Sequence, residues 1–163
     1  MLLTDSSQLE FSMNKNVYRD LMQELTALVG LSDQFELIHA TGNLVFKDVA
    51  LTIFLTDNQP ALVNVFVDFG TFAQDKAEEI FRRLLEINLL VSSQGSPRLG
   101  LDPQTGRVIF SCAYPLQGLT AYKLLGSIDM AVRQATVWRS TFYLDGPPSH
   151  LHRQPDLRHA IHI

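Results

Sequence analysis

Val49-Ala-Leu-Thr-Ile-Phe-Leu-Thr56 and Leu62-Val-Asn-Val-Phe-Val-Asp-Phe69 both repeat with a period of two. In the first run Val49, Leu51, Ile53 and Leu55 alternate with Ala50, Thr52, Phe54 and Thr56. In the second, Val63, Val65, Val67 and Phe69 alternate with Leu62, Asn64, Phe66 and Asp68. Successive side chains of a strand point to opposite faces, so each run presents one wholly apolar face, and its β-branched residues suit a pleated, half-buried surface. Asp57-Asn-Gln-Pro60 between the runs reads as a turn, because Asp and Asn bond their own backbone and Pro presets its dihedral. With a shorter strand around Leu44 to Phe46, the period of two extends over Phe35 to Phe69 as an antiparallel meander.

On either side the period returns to that of a helix. Before the meander, Val17, Leu21, Leu25 and Leu28 form an apolar stripe on a first helix that starts near Asn14 or Asn16 and stops at Gly30. After it, a second helix runs from about Gln74 to Val91, with Glu78/Arg82 and Glu79/Arg83 spaced as i, i+4 pairs on a solvated side. Gln94-Gly-Ser-Pro97 breaks this helix, and Asp102-Pro-Gln-Thr-Gly106 suits the loop of a following hairpin. Val108, Phe110, Cys112 and Tyr114 share one face of its second strand. A third helix extends from after Pro115 to about Tyr143, with Leu124, Leu125, Ile128, Ala131, Val132, Ala135, Trp138 and Phe142 inward, and Gly146-Pro-Pro stops it. The order of helix, three strands, helix, two strands, helix predicts an α+β fold, a five-stranded antiparallel sheet with three helices. Residues 1–146 read as a single domain and 147–163 as a flexible C-terminal tail.

A chain of 163 residues is long enough to build one core without disulfide or metal support. The formal charge of -4 argues against nucleic acid as a partner, since phosphate binding rests on Lys and Arg. A single cysteine cannot close a disulfide within the chain, no apolar run approaches the length of a membrane span, and Met-Leu-Leu-Thr-Asp-Ser-Ser lacks the pattern of a signal peptide. The expectation is a cytoplasmic soluble protein without membrane insertion.

Candidate chemistry is sparse. His150-Leu-His152 and His159-Ala-Ile-His162 have spacings that can bind zinc or copper, but metal sites need fixed geometry and supporting partners, and the stretch reads as a polar tail. Cys112 falls in phase with Val108 and Phe110 and reads as a buried, inert thiol. His39 has no nucleophile or acid at a recognised spacing and reads as a strand-edge histidine; Asp102 reads as a loop-capping residue. No catalytic residue, metal or cofactor is expected.

Apolar surface is the informative remainder. The second helix carries Ala77, Phe81, Leu84, Leu85 and Asn88 on one face, and Ile80, Ile87, Leu90 and Val91 widen the stripe until its last turns are apolar nearly all round. A helix of that kind is covered on two sides, which predicts a second copy of the chain. On the meander, the phase opposite the Val/Ile/Leu face still holds Phe54, Leu62 and Phe66 among polar residues, an interaction patch if no helix covers it.

Leu84-Leu85-Glu86-Ile87-Asn88-Leu89, followed by Leu99-Gly-Leu-Asp102, the strand to Tyr114-Pro-Leu116 and a long helix with Trp138-Arg139, resembles the class I type III secretion chaperones of the Tir chaperone (CesT) family. The likeness covers roughly Val17 to Phe142 and rests most on the family's leucine-leucine-glutamate-x-asparagine run. It implies a cytoplasmic homodimer in a Gram-negative bacterium. Such a dimer lacks ATPase activity and holds the N-terminal region of a secreted effector extended, soluble and competent for secretion. Family architecture and periodicity together place Ile80, Leu84, Ile87 and Val91 at the dimer interface, and Val17, Leu21, Phe54, Leu62 and Phe66 against the effector. A related α+β binding or scaffold domain outside secretion, such as a YbjN-like protein, fits the same core pattern.

Overall fold

A computed structural model describes the backbone of residues 5–56, 59–91 and 97–144. Helix α1, Asp5–Leu28, leads through a single turn of 3₁₀ helix into α2, Phe35–Thr41. Strands β1 (Asn43–Phe46), β2 (Val49–Thr56) and β3 (Leu62–Gly70) follow, then α3 (Ala77–Leu90), β4 (Arg98–Leu101), β5 (Val108–Pro115) and α4 (Ala121–Thr141). All strand pairs are antiparallel, in the order β1-β2-β3-β5-β4.

The expected sheet stands, with four helices rather than three. Phe35–Thr41, assigned to the period-two region in the sequence, is a helix that buries Phe35 and Ile38. It ends at Gly42, whose φ is 72°; a Cβ there would lie 2.3 Å from the Ile53 carbonyl oxygen, so both conformation and space require glycine. Helix α1 begins well before Asn14, and Gly30, at φ 77°, closes it as expected. Lys47 and Asp48, both at positive φ, form the tight turn between β1 and β2. Asp57 and Asn58 of the next turn, the 92–96 part of the helix break, and the 147–163 tail with its four histidines lie outside the described residues.

One face of the sheet is the core face. Val49, Leu51, Ile53, Val63, Val65, Val67, Phe69, Val108 and Cys112 are buried there beneath the apolar stripes of α1 and α4. From α1 come Tyr18, Leu21, Met22 and Leu25; from α4 come Leu124, Ile128, Ala131, Val132, Ala135 and Trp138. The Trp138 indole packs against Phe69, Phe142 and Tyr143. Arg139, the next residue, fastens α4 to the strand ends by donating to the carbonyls of Asp48, Asp68 and Phe69 at 3.1–3.4 Å. Helix α3 flanks the β4 edge, with Ile80 and Leu84 turned into the core.

Candidate interaction surfaces

Among the described residues, no helix covers the middle of the other sheet face, where Phe54 and Phe66 are exposed. Its polar residues satisfy one another across strands: Thr52 Oγ1 donates to Asn43 Oδ1 at 2.8 Å, and Asn64 Nδ2 donates to Thr56 Oγ1 at 2.7 Å. Arg107 Nε donates to both oxygens of Asp68, at 2.8 and 3.0 Å. The apolar residues between them stay open. Phe54 is 36% and Phe66 41% exposed, and their rings meet edge to face at 5.2 Å. A groove of about 1120 Å³ starts at Leu37 of α2 and Val45 of β1, crosses Phe66 and Ile109, and ends at Arg98 and Arg107. Its floor passes Gly100, above which a Cβ would meet nothing.

Of the five residues placed against a partner by sequence, Phe54 and Phe66 are brought together on this face, with half-buried Leu62 at the same end of β3. Only Phe66 of the five lines the groove. Val17 and Leu21 belong to the opposite layer. Val17 is exposed on α1, and Leu21 is a core residue with no surface to offer.

Helix α3 departs further from its reading. Ile80 and Leu84 are buried within the chain, so neither presents a surface to a second copy. Ile80, Leu84, Ile87 and Val91 form one stripe along the helix; its first two residues face the core, whereas Ile87 is half-buried and Val91 is exposed. Past the core the stripe lines a second cleft of about 460 Å³, whose walls Ile87 and Val91 share with Leu99, Phe110, Met130 and Val137. The outward face carries Leu85 and Leu89, 70% and 77% exposed, with Leu90 beside them. Leu89 went unassigned in the sequence, since a helix apolar nearly all round does not declare which stripe is internal.

Asn88 gives the motif on this helix a physical role. Its Nδ2 donates to the Leu99 carbonyl and its Oδ1 accepts from the Leu99 N–H, both at 2.8 Å. The side-chain amide thus satisfies one residue of the edge strand β4 as a neighbouring strand would.

The remaining candidates have structural roles. Burial raises the Cys112 thiol above its ordinary pKa, and its Sγ sits 3.9 Å from the Val65 carbonyl oxygen. Asp102 caps its own loop: Thr105 Oγ1 donates to it at 2.6 Å and the Gln104 N–H at 3.0 Å, which holds the carboxyl below its usual range. His39 is on α2, not at a strand edge, and packs beside Tyr18 and Phe35. Among the described residues, no group of three or more His, Cys, Asp and Glu side chains is placed to hold a metal ion, and no helix is long and apolar enough to cross a membrane.

Residues 20–139 match the model of the Tir chaperone protein (CesT) family. Comparison with curated proteins gives no match. Among solved structures, the chain is similar to one in the ExsC–ExsE complex, with a TM-score of 0.62 and 19% identity over 79% of this chain and 96% of that one. It is also similar to one in the HopA1–SchA chaperone–effector complex, with a TM-score of 0.58 and 19% identity over 78% of this chain and 97% of that one. At these identities the likeness shows the fold.

Proposed function

Because the chain belongs to the Tir chaperone protein (CesT) family of type III secretion chaperones, we propose that its open sheet face holds the N-terminal segment of a secreted effector in extended form. The observation that carries this is the Phe54–Phe66 pair, exposed on that face with Phe66 lining the groove, beside polar residues that already satisfy each other. An unfolded client offers apolar side chains and unpaired backbone. The groove receives the side chains, and free strand edges tolerate varied sequence through backbone pairing.

Binding alone suffices for this task. Ordering each client residue costs about 1–2 kcal/mol of backbone entropy, whereas burial returns roughly 25 cal/mol per Å² of apolar area, so a client must wrap a large surface to be held. Two chaperone copies double the surface. We assign the homodimer contact to the outward leucines of α3, Leu85 and Leu89, together with the ends of the inner stripe at Ile87 and Val91. The pair acts in the bacterial cytoplasm, keeping the effector soluble and secretion-competent without ATP.

The test is co-purification from the native cell followed by mass spectrometry. The native chain is expected to retain a secreted protein through its N-terminal region, and Phe54→Glu with Phe66→Glu to lose it while light scattering still gives a dimer. Unchanged capture by the double variant would refute the outer-face assignment. Retention of no secreted protein would favour a scaffold domain of the same fold. Leu85→Glu with Leu89→Glu is expected to give one chain's mass at micromolar concentration while the domain stays folded. A native protein that already scatters as a monomer would remove the dimer.

A further inference from the structure

We propose that Arg107 and Arg98 form the polar end of the outer-face groove and take an acidic side chain of the bound segment, a role that rests on that face being the client site. Arg107 contacts Asp68 through Nε alone. Its terminal Nη1 and Nη2 groups donate to no described residue, and Arg107 lines the groove together with Phe66 and Ile109. A guanidinium fork matches a carboxylate in two parallel hydrogen bonds. Asp68 does not compete for that fork: it is occupied by Nε and by the Gly70 N–H, which donates to its Oδ1 at 2.8 Å. The ion pair also fixes the side chain before any ligand arrives, so less rotamer entropy is lost on binding.

Arg98 adds a second positive charge. It is exposed on the same groove and forms no ion pair among the described residues. The nearby carboxylate of Asp102 is turned to its own loop by Thr105 and Gln104. The groove therefore pairs an aromatic stretch with an end where the Arg98 and Arg107 guanidinium groups stand beside the carboxylates of Asp68 and Asp102, each of which is already hydrogen-bonded within the chain. Phe66 and Asp68 are two residues apart on one strand face, about 6.8 Å. The complementary segment carries an apolar anchor with Asp or Glu a similar step away.

Two short fluorescein-labelled peptides with identical Leu and Phe positions test this on the full chain by fluorescence anisotropy. One carries Glu and the other Lys, two residues from the Phe. The Glu peptide is expected to bind about tenfold more tightly or better, as a charge-assisted hydrogen bond allows, and the ratio should shrink as salt is raised. Arg98→Gln, at an exposed position, and Arg107→Gln should each lower the ratio, and the double variant should erase it. Arg107→Lys, which keeps the charge without the fork, should fall between. Melting curves establish that each variant is folded. Equal binding of the two peptides by the native chain, tighter binding of the Lys peptide, or a ratio unmoved by Arg98→Gln overturns the arginine role. If Phe54→Glu with Phe66→Glu releases both peptides while Glu and Lys are not distinguished, the outer-face site stands and only the arginine role falls. If that variant still binds both, or the native chain binds neither, the outer-face site falls with it.

Discussion

Ile53 and Phe54 are neighbours on β2 and lie on opposite faces of the sheet: one in the chain's own core, the other on an open surface. Ile53 is fully buried among α1, α4 and the adjoining strands, whereas Phe54 touches Phe66 edge to face and is one-third open to water. The sheet separates the two roles cleanly because strand side chains alternate. On the inner face the central positions are apolar and covered, while Leu55 and Phe110 are half-buried. On the outer face the polar residues are paired across strands and two aromatic rings are left over. An uncovered apolar pair stabilises its own chain little, so its energy is available to something else.

The sharpest break of the comparison is at Ile53. Ile53→Ala should lower unfolding stability by about 3 kcal/mol, the sum of lost transfer energy and a cavity between tightly packed layers. Denaturant melts with an unchanged slope measure it. A loss below about 1 kcal/mol would mean that the inner face is not packed as a core.

The division between faces was readable in the chain because it needs only a period of two and the identity of the residues in each phase. Phe54 and Phe66 stood out for being apolar in the wrong phase. Helix α2 was not readable, since seven residues with Phe35, Leu37 and Ile38 give too few turns to separate a period of 3.6 from one of two. The orientation of α3 was hidden for a different reason. Ile80 and Leu84 differ from Leu85 and Leu89 only in what lies next to them, and that is set by the strands the helix flanks. Arg107 could not be singled out either: its bond to Asp68 spans 39 residues, and no local spacing announces it.

The boundary between the faces is the β4 edge, and Asn88 guards it. Asn88→Ala removes both bonds to Leu99 and leaves that residue's N–H and C=O to water. The expected loss is about 2 kcal/mol, less than at Ile53 because the edge can be hydrated. Hydrogen exchange should localise the effect, with the Leu99 amide losing protection while β2 and β3 keep theirs. Uniform loss across the sheet would make Asn88 part of the global core instead of an edge device.

The smallest stability effect is expected one residue from the largest. Phe54→Ala forfeits the edge-to-face contact with Phe66 and some partial burial, about 1 kcal/mol, because the ring is already wet in the folded chain. Measured beside Ile53→Ala in one buffer, the pair of losses reads the two faces directly. A difference of about 2 kcal/mol or more means that selection for folding acts on one face and leaves the other free to serve a partner. Equal losses would mean that something covers Phe54 in the native state, and dilution separates the two ways this can happen: cover by a second copy weakens as concentration falls, and cover by the chain itself does not.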